Sequence, residues 1–237
     1  MDVMARALAL FLSLCSGLAG AAPNEIKVFT DELAAYHAYT LETHVNKAHS
    51  GPLRLMPEYS YGIWHDWEFS LQLPVAFGSH ATNSEGYRAE LQYVAPHDEE
   101  WGFYWGLNVE LARDYRVGEP HFWNVEFIPI VGLRVERWHF VTNPGFERAL
   151  SGRERRVSAM PAAKLAYRAF GQNSFGLEYY LEAGPLTHRL VRDEQSRMLY
   201  LAWDGKIGKS DINVGLGRGA TPASDRWVIK AIYEVAF

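Results

Sequence analysis

Cysteine is nearly absent from the chain. Cys15 is the single example in 237 residues, so no disulfide can form within it and stability must come from elsewhere. Beyond the first two dozen residues there is no run of about eighteen apolar residues, which excludes a transmembrane helix there. Strong charge is missing too: the formal net charge of -5 is too mild to draw nucleic acid or a strongly acidic ligand. No G-x-S-x-G elbow and no glycine-rich phosphate loop in a strand–helix context occurs. The nine histidines (37, 44, 49, 65, 80, 97, 121, 139 and 188) contain no pair at a helical metal spacing. Neither a metal nor a cofactor is therefore expected. Gly215-Leu-Gly-Arg-Gly219 is glycine-rich but ends a strand pattern, which reads as a turn or close packing.

What is present begins with an export signal. Arg6 precedes the apolar run Ala7 to Leu14, followed by Cys15-Ser16-Gly17 and Ala19-Gly20-Ala21. This three-part layout predicts a signal peptide over residues 1–21, cleaved after Ala21. The run is too short for a membrane anchor. A lipoprotein signal ending at Cys15 is disfavoured by Leu14, which stands where a small residue is needed. Residues 22–237 are then one domain, with 22–35 expected as a periplasmic N-terminal segment. Eight Trp, thirteen Tyr and twelve Phe in an exported chain without apolar helices leave two classes, a soluble β-protein and a membrane barrel.

Period-two alternation dominates the mature chain, placing alternate side chains on opposite faces of strands. Trp227, Ile229, Ala231, Tyr233, Val235 and Phe237 alternate with Val228, Lys230, Ile232 and Glu234. Phe103, Trp105, Leu107, Val109 and Leu111 alternate with Tyr104, Gly106, Asn108 and Glu110. Reading every such run gives strands at 36–46, 53–63, 67–76, 86–95, 101–112, 122–135, 137–143, 159–170, 174–184, 197–204, 210–217 and 226–237. The count is twelve, or ten if the short segment 137–143 fails. Short connections (64–66, 96–100, Glu136, 171–173, 205–209) alternate with mostly longer ones (77–85, 113–121, 144–158, 185–196, 218–225). That is the pattern of short periplasmic turns and longer external loops. Against it, Pro57, Pro74, Pro129 and Pro161 fall inside proposed strands. Each lacks a ladder donor and is expected at a rim or a bulge.

The sense of the alternation favours lipid outside. A soluble barrel fills its interior with apolar side chains. Here one face carries large aromatics and leucines, and the other carries charge: Glu42, Glu58, Glu68, Glu90, Glu110, Glu126, Glu178, Glu182, Asp211 and Glu234, with Arg88, Arg134, Lys164, Arg168 and Lys230. An antiparallel up-and-down transmembrane β-barrel of about 12 strands, in a bacterial outer membrane, is the expected fold. Trp67, Trp105, Trp203, Trp227 and Tyr233 are candidates for the interfacial aromatic girdles. The charged lumen reads either as a selective path for a small solute or as a fixed ion-pair network filling a narrow barrel. Twelve strands lie between the filled and the open regimes. Arg148, Arg153, Arg155 and Arg156 crowd the longest external loop, as a solvated run or as contacts to lipopolysaccharide phosphates.

Tyr233-Glu-Val-Ala-Phe237, an alternating strand ending on Phe, resembles the terminal assembly signal of outer-membrane barrels. That resemblance implies Tyr233, Val235 and Phe237 as the residues read by the barrel-assembly machinery. Pro57-Glu-Tyr-Ser-Tyr-Gly62 with Trp67-Glu-Phe-Ser-Leu71, Gly106-Leu-Asn-Val-Glu110 and Gly176-Leu-Glu-Tyr-Tyr180 is similar to the phenol-degradation-type outer-membrane transporter family. It implies compartment and fold more than substrate. A narrow channel or transporter is the leading expectation. A lipid-modifying enzyme and a structural barrel acting through its loops are the alternatives, although no Ser–His pair stands out in the sequence.

Overall fold

A strand with one apolar face has to pair on both sides, and closing the sheet on itself removes every free edge. In the computed structural model the described residues are 26–78, 82–98, 102–115, 121–152, 155–182 and 184–237. The predicted signal peptide lies outside them. The strands are β1 (Tyr39–Ala48), β2 (Leu53–Trp64), β3 (Trp67–Gln72), β4 (Val75–Phe77), β5 (Thr82–Ser84), β6 (Gly86–Val94), β7 (Gly102–Asp114), β8 (Phe122–Val135), β9 (Trp138–Ala149), β10 (Val157–Phe170), β11 (Asn173–Glu182), β12 (Ser196–Ile207), β13 (Ser210–Gly219) and β14 (Trp227–Ala236). β3 and β4 share one stave, interrupted at Leu73-Pro74, and β5 is a short arm on β4. Consecutive staves pair antiparallel, and β14 pairs with β1 from Thr40↔Ala236 to Ala48↔Val228. The result is a closed antiparallel barrel of twelve staves.

Two departures from the expected strand boundaries have a clear local cause. The first strand begins at Tyr39 rather than residue 36, because His37 takes a positive φ of 61° that breaks the extended run. The seventh does not stop at residue 143 but runs to Ala149, so the expected long loop 144–158 shrinks to 150–156. Twelve staves, and not ten, close the barrel. Pro144 and Gly145 disguised the strand's second half.

The prolines explain how it continues. Pro144 is the register partner of Pro161 on β10. On the other side, β8 pairs with β9 through Phe127↔Phe146 and again from Val131↔Thr142, a register that sets Pro129 opposite Pro144. Pro129, Pro144 and Pro161 thus occupy one row across three strands, away from the rims and at a place where the β8–β9 ladder is interrupted. Missing donors pooled in one row disturb one place in the wall instead of three.

The faces are inverted relative to a soluble protein. Leu201, Ile229 and Leu216 are 68%, 57% and 48% exposed at mid-strand, whereas their neighbours Tyr200 and Lys230 are fully buried. Aromatic pairs mark the short-turn end: Tyr39–Tyr61 at 4.7 Å, Trp67–Tyr93 at 4.8 Å, Tyr93–Trp105 at 5.7 Å and Trp138–Tyr167 at 4.9 Å between ring centres. A smaller set, Tyr87 with Trp123 and Trp227 under Arg218, lies toward the other end. Trp203 donates to Asn173 Oδ1 at 3.0 Å, and Tyr233 donates to Ser210 Oγ at 2.8 Å. Phe237 is exposed, its amide donating to the Tyr39 carbonyl at the closing seam.

Glycines make room for inward tyrosines. A Cβ on Gly132 would stand 1.9 Å from the Tyr104 ring, and one on Gly217 would stand 2.3 Å from that of Tyr200. Gly215 is likewise covered by the Lys230 side chain, so the Gly215–Gly219 run serves close packing.

Two substitutions test this arrangement. Leu201→Arg, at mid-height on the lipid face, should lower stability by about 2–4 kcal/mol in reversible unfolding from lipid vesicles. Gly132→Ala should displace Tyr104 and lower it by about 1–3 kcal/mol in the same assay.

Candidate functional site

Residues 26–35 of the segment expected in the periplasm run inside the barrel. They form a strap from Ile26, beside Met198 and Val228, to the short-turn rim, where Tyr36 bridges to Gly62. Its backbone finds partners on side chains of the wall. Phe29 N donates to Asn143 Oδ1 at 2.8 Å, and Asn143 Nδ2 donates back to the Phe29 carbonyl at 3.0 Å. Asn143 neighbours Pro144 in the interrupted proline row. Gln92 Nε2 donates to the carbonyls of Thr30 and Glu32, Lys230 Nζ to that of Ile26 at 3.0 Å, and Ala34 N to Glu68. A buried extended segment needs such partners because no strand lies beside it.

Apolar burial fixes the strap's middle. Val28 and Phe29 pack into a cluster with Tyr104, Ile128, Ile130, Val141, Tyr180, Met198, Tyr200 and Val228. This hydrophobic layer divides the lumen. Below it, toward the short turns, lies a cavity of about 350 Å³ reaching Gln172, Lys206 and Asp211 at the rim. Above it is a pocket of about 60 Å³ beside Glu182, Arg54 and Asp225.

The register groups the lumen charges into two rows that no linear reading reveals. Glu58↔Glu42↔Glu234↔Asp211 run side by side across β2, β1, β14 and β13. Glu90↔Glu110↔Glu126↔Glu147 do the same across β6 to β9. Like charges directly opposite one another destabilise a sheet, so each row needs compensation. In the second, Arg88 donates to both Glu110 oxygens at 3.1 and 3.3 Å, and Glu90 accepts from Gln72 at 2.7 Å and Asn108 at 3.1 Å. In the first, Lys27 from the strap lies 2.7 Å from Glu42 and 3.7 Å from Glu58. His44 Nε2 sits 2.6 Å from Glu42 and 3.2 Å from Glu58. Lys206 pairs with Asp211 at 2.7 Å.

A third network faces it. Lys164 reaches Asp204 at 2.6 Å and Glu178 at 3.4 Å, and Lys230 bonds Glu178 while lying 5.6–5.7 Å from the ring centres of Tyr180 and Tyr200. The structure therefore brings Glu42, Glu58, Glu68, Lys164, Glu178, Asp211, Lys230 and Glu234 to one cavity. Glu182 lines the upper pocket, and Glu90, Arg88, Glu110 and Glu126 are buried in the wall network. Arg168 stands apart at the rim, where its guanidinium reaches the Glu136 carbonyl at 3.5 Å.

Sequence reasoning passed over Lys27, Asp31, His44, Tyr104, His139 and Asp204. Glu42, His44 and Glu58 place three potential metal ligands within 4.8 Å of one another. Their separation over two strands hides that convergence. Lys27 already supplies positive charge there, and Gln72 also donates to Glu58 at 3.2 Å.

At the lower rim the strap is clamped by charge. Arg134 grips both Asp31 oxygens, Nη2 to Oδ1 at 2.6 Å, and stacks 5.2 Å over the Tyr104 ring. His97 lies 2.7 Å from Asp31 and 2.9 Å from the Ala95 carbonyl. Tyr104 and His139 are hydrogen-bonded at 2.7 Å alongside.

Fold and lumen together define a transmembrane barrel whose interior is polar, charged and occupied by its own N-terminal strap. Among solved structures the chain is similar to the NanC porin, with 10% identity over 84% of this chain and 99% of that one, and a TM-score of 0.53. At that identity the likeness shows the fold alone. LpxR from Salmonella typhimurium follows at 7% identity, 82% and 99% coverage and a TM-score of 0.49. No family model and no curated protein matches the sequence. The likeness to the phenol-degradation-type transporters therefore rests on its short motifs alone.

The clamp gives a pH prediction. Burial alone would raise the Asp31 carboxyl, but the hydrogen bonds and charge of Arg134 outweigh it and hold the group below its ordinary value of 3.8. A depressed carboxyl stabilises the folded form above its ordinary range and ceases to do so as the pH falls through its lowered value. A nitroxide on Leu33→Cys should therefore stay immobile until the medium falls below about pH 4. Asp31→Asn should give the mobile electron-spin-resonance signal already at neutral pH.

Proposed function

We propose that the protein is a narrow outer-membrane channel or transporter for a small solute, with its strap as the gate. The observation that carries this reading is the 350 Å³ charged cavity inside a barrel whose outer surface is apolar. A wall built only for stability has no use for so many acids and lysines around an open space of that volume, since buried charge is costly even when paired. Selectivity then comes from charged side chains at close quarters. The layer around Val28 and Phe29 blocks the described lumen at mid-height, so passage requires the strap to shift. Its attachments are mostly hydrogen bonds and ion pairs, which can exchange for water.

Export through cleavage near Ala21, recognition of Tyr233, Val235 and Phe237 by the assembly machinery, and lipopolysaccharide contacts from the 150–156 loop belong to the same reading. Arg148, expected in the loop, stands instead at the end of β9, its Nε donating to the Arg155 carbonyl at 3.2 Å. Arg153 lies outside the described residues.

Planar-bilayer recording tests it. The intact mature chain should give rare, small conductance steps. Arg134→Ala combined with Asn143→Ala, which removes two anchors of the strap, should raise the open probability by about tenfold, equivalent to roughly 1.4 kcal/mol of lost latch energy. Silence from both proteins, together with no solute uptake into liposomes, would remove the channel reading.

A further inference from the structure

In the lower cavity carboxyl groups outnumber lysines. Eight carboxylates and four lysines line it, and each lysine is already committed: Lys27 to Glu42 and Glu58, Lys164 to Asp204 and Glu178, Lys230 to Glu178, Lys206 to Asp211. Glu234 sits between Glu42 and Asp211 in the carboxylate row. Among the described residues it has no hydrogen-bonded or ion-paired side chain, and the Glu32 carboxylate, on the strap, has none either. Lys27 and His44 gather at the Glu42–Glu58 end of the row and Lys206 at Asp211, while Glu234 between them holds no cation.

The occupant of the Glu42–Glu58 end shows what chemistry the row accepts. It is an alkylammonium, the Nζ of Lys27, lying between two carboxylates at 2.7 and 3.7 Å. That group belongs to the strap and not to the wall, so it sits on the row as a tethered ligand would. Neighbouring strands are spaced about 4.8 Å apart, so four of them offer carboxylates over roughly 15 Å. A compact single ion would engage one step of such a row. A linear molecule with ammonium groups at both ends engages several.

We infer that the cavity binds small linear diamines or polyamines, with Glu234 as the central ligand and Lys27 as a built-in competitor. The inference rests on the channel reading for its biological sense but not for its test. Anions are disfavoured because every lysine in the cavity is paired, and solutes without an ammonium group leave Glu234 without an ionic partner.

Isothermal titration of the full mature chain, folded in detergent at low ionic strength, decides it, with putrescine and spermidine as probes and sucrose and glutamate as controls. Saturable binding is expected for the amines alone, stronger for spermidine and weakened by salt. Glu234→Gln replaces a carboxyl that has no partner and leaves every ion pair intact, so it should fold normally, as checked by heat-modifiable mobility. It should lower amine affinity by about tenfold, the loss of one charge-assisted hydrogen bond. Lys27→Met should tighten binding where that variant folds. No saturable amine binding to the intact chain, or an affinity unchanged by Glu234→Gln, overturns the inference. Liposomes that pass sucrose but bind no amine would overturn it while leaving the channel reading standing. Amine binding without any flux would do the reverse.

Discussion

Lipid offers no hydrogen-bond partner, and from that single constraint the rest of the molecule follows. Each backbone donor and acceptor in the wall must find a neighbouring strand, which is why β14 is zipped to β1 along nearly its whole length. Three prolines subtract donors from the same stretch of wall, and the chain confines them to one row. The interruption is useful: beside it Asn143 turns its amide inward and binds the strap as a strand would.

Closure in turn creates an interior, and the interior is neither an oil-like core nor open water. Its middle is apolar, built from Tyr104, Ile130, Tyr200 and their neighbours around Val28 and Phe29. Its flanks are ionic. Charges on adjacent strands would repel if left alone, so the strap brings Lys27 to the acid pair of Glu42 and Glu58, and Asp31 to Arg134. The strap is thus both the stopper of the barrel and part of its electrostatic balance.

The wall was legible in the sequence because lipid-facing and lumen-facing residues alternate strictly. Trp227 to Phe237 and Phe103 to Leu111 announce their faces one residue at a time. The β9 strand was harder, since Pro144-Gly145 carries the marks of a turn and only its row partners Pro129 and Pro161 rescue it. The lumen acids were visible as a set but not as rows, because Glu42, Glu58, Asp211 and Glu234 become neighbours through register. The strap was invisible for a simpler reason. Ile26 to Ala35 has no single buried face: both Val28 and Phe29 are buried, and its partners are side chains scattered over strands from β1 to β14.

Because the strap remains fastened near Tyr36 and Gly62 after any release, it never dilutes into the surrounding solution. A short tether keeps its local concentration in roughly the millimolar range. Any solute that takes the place of Lys27 therefore competes against a rival that is always present and always close. Under the binding proposed above, the barrel would respond to an abundant solute and ignore traces, a threshold set by the length of the strap rather than by the strength of any one contact.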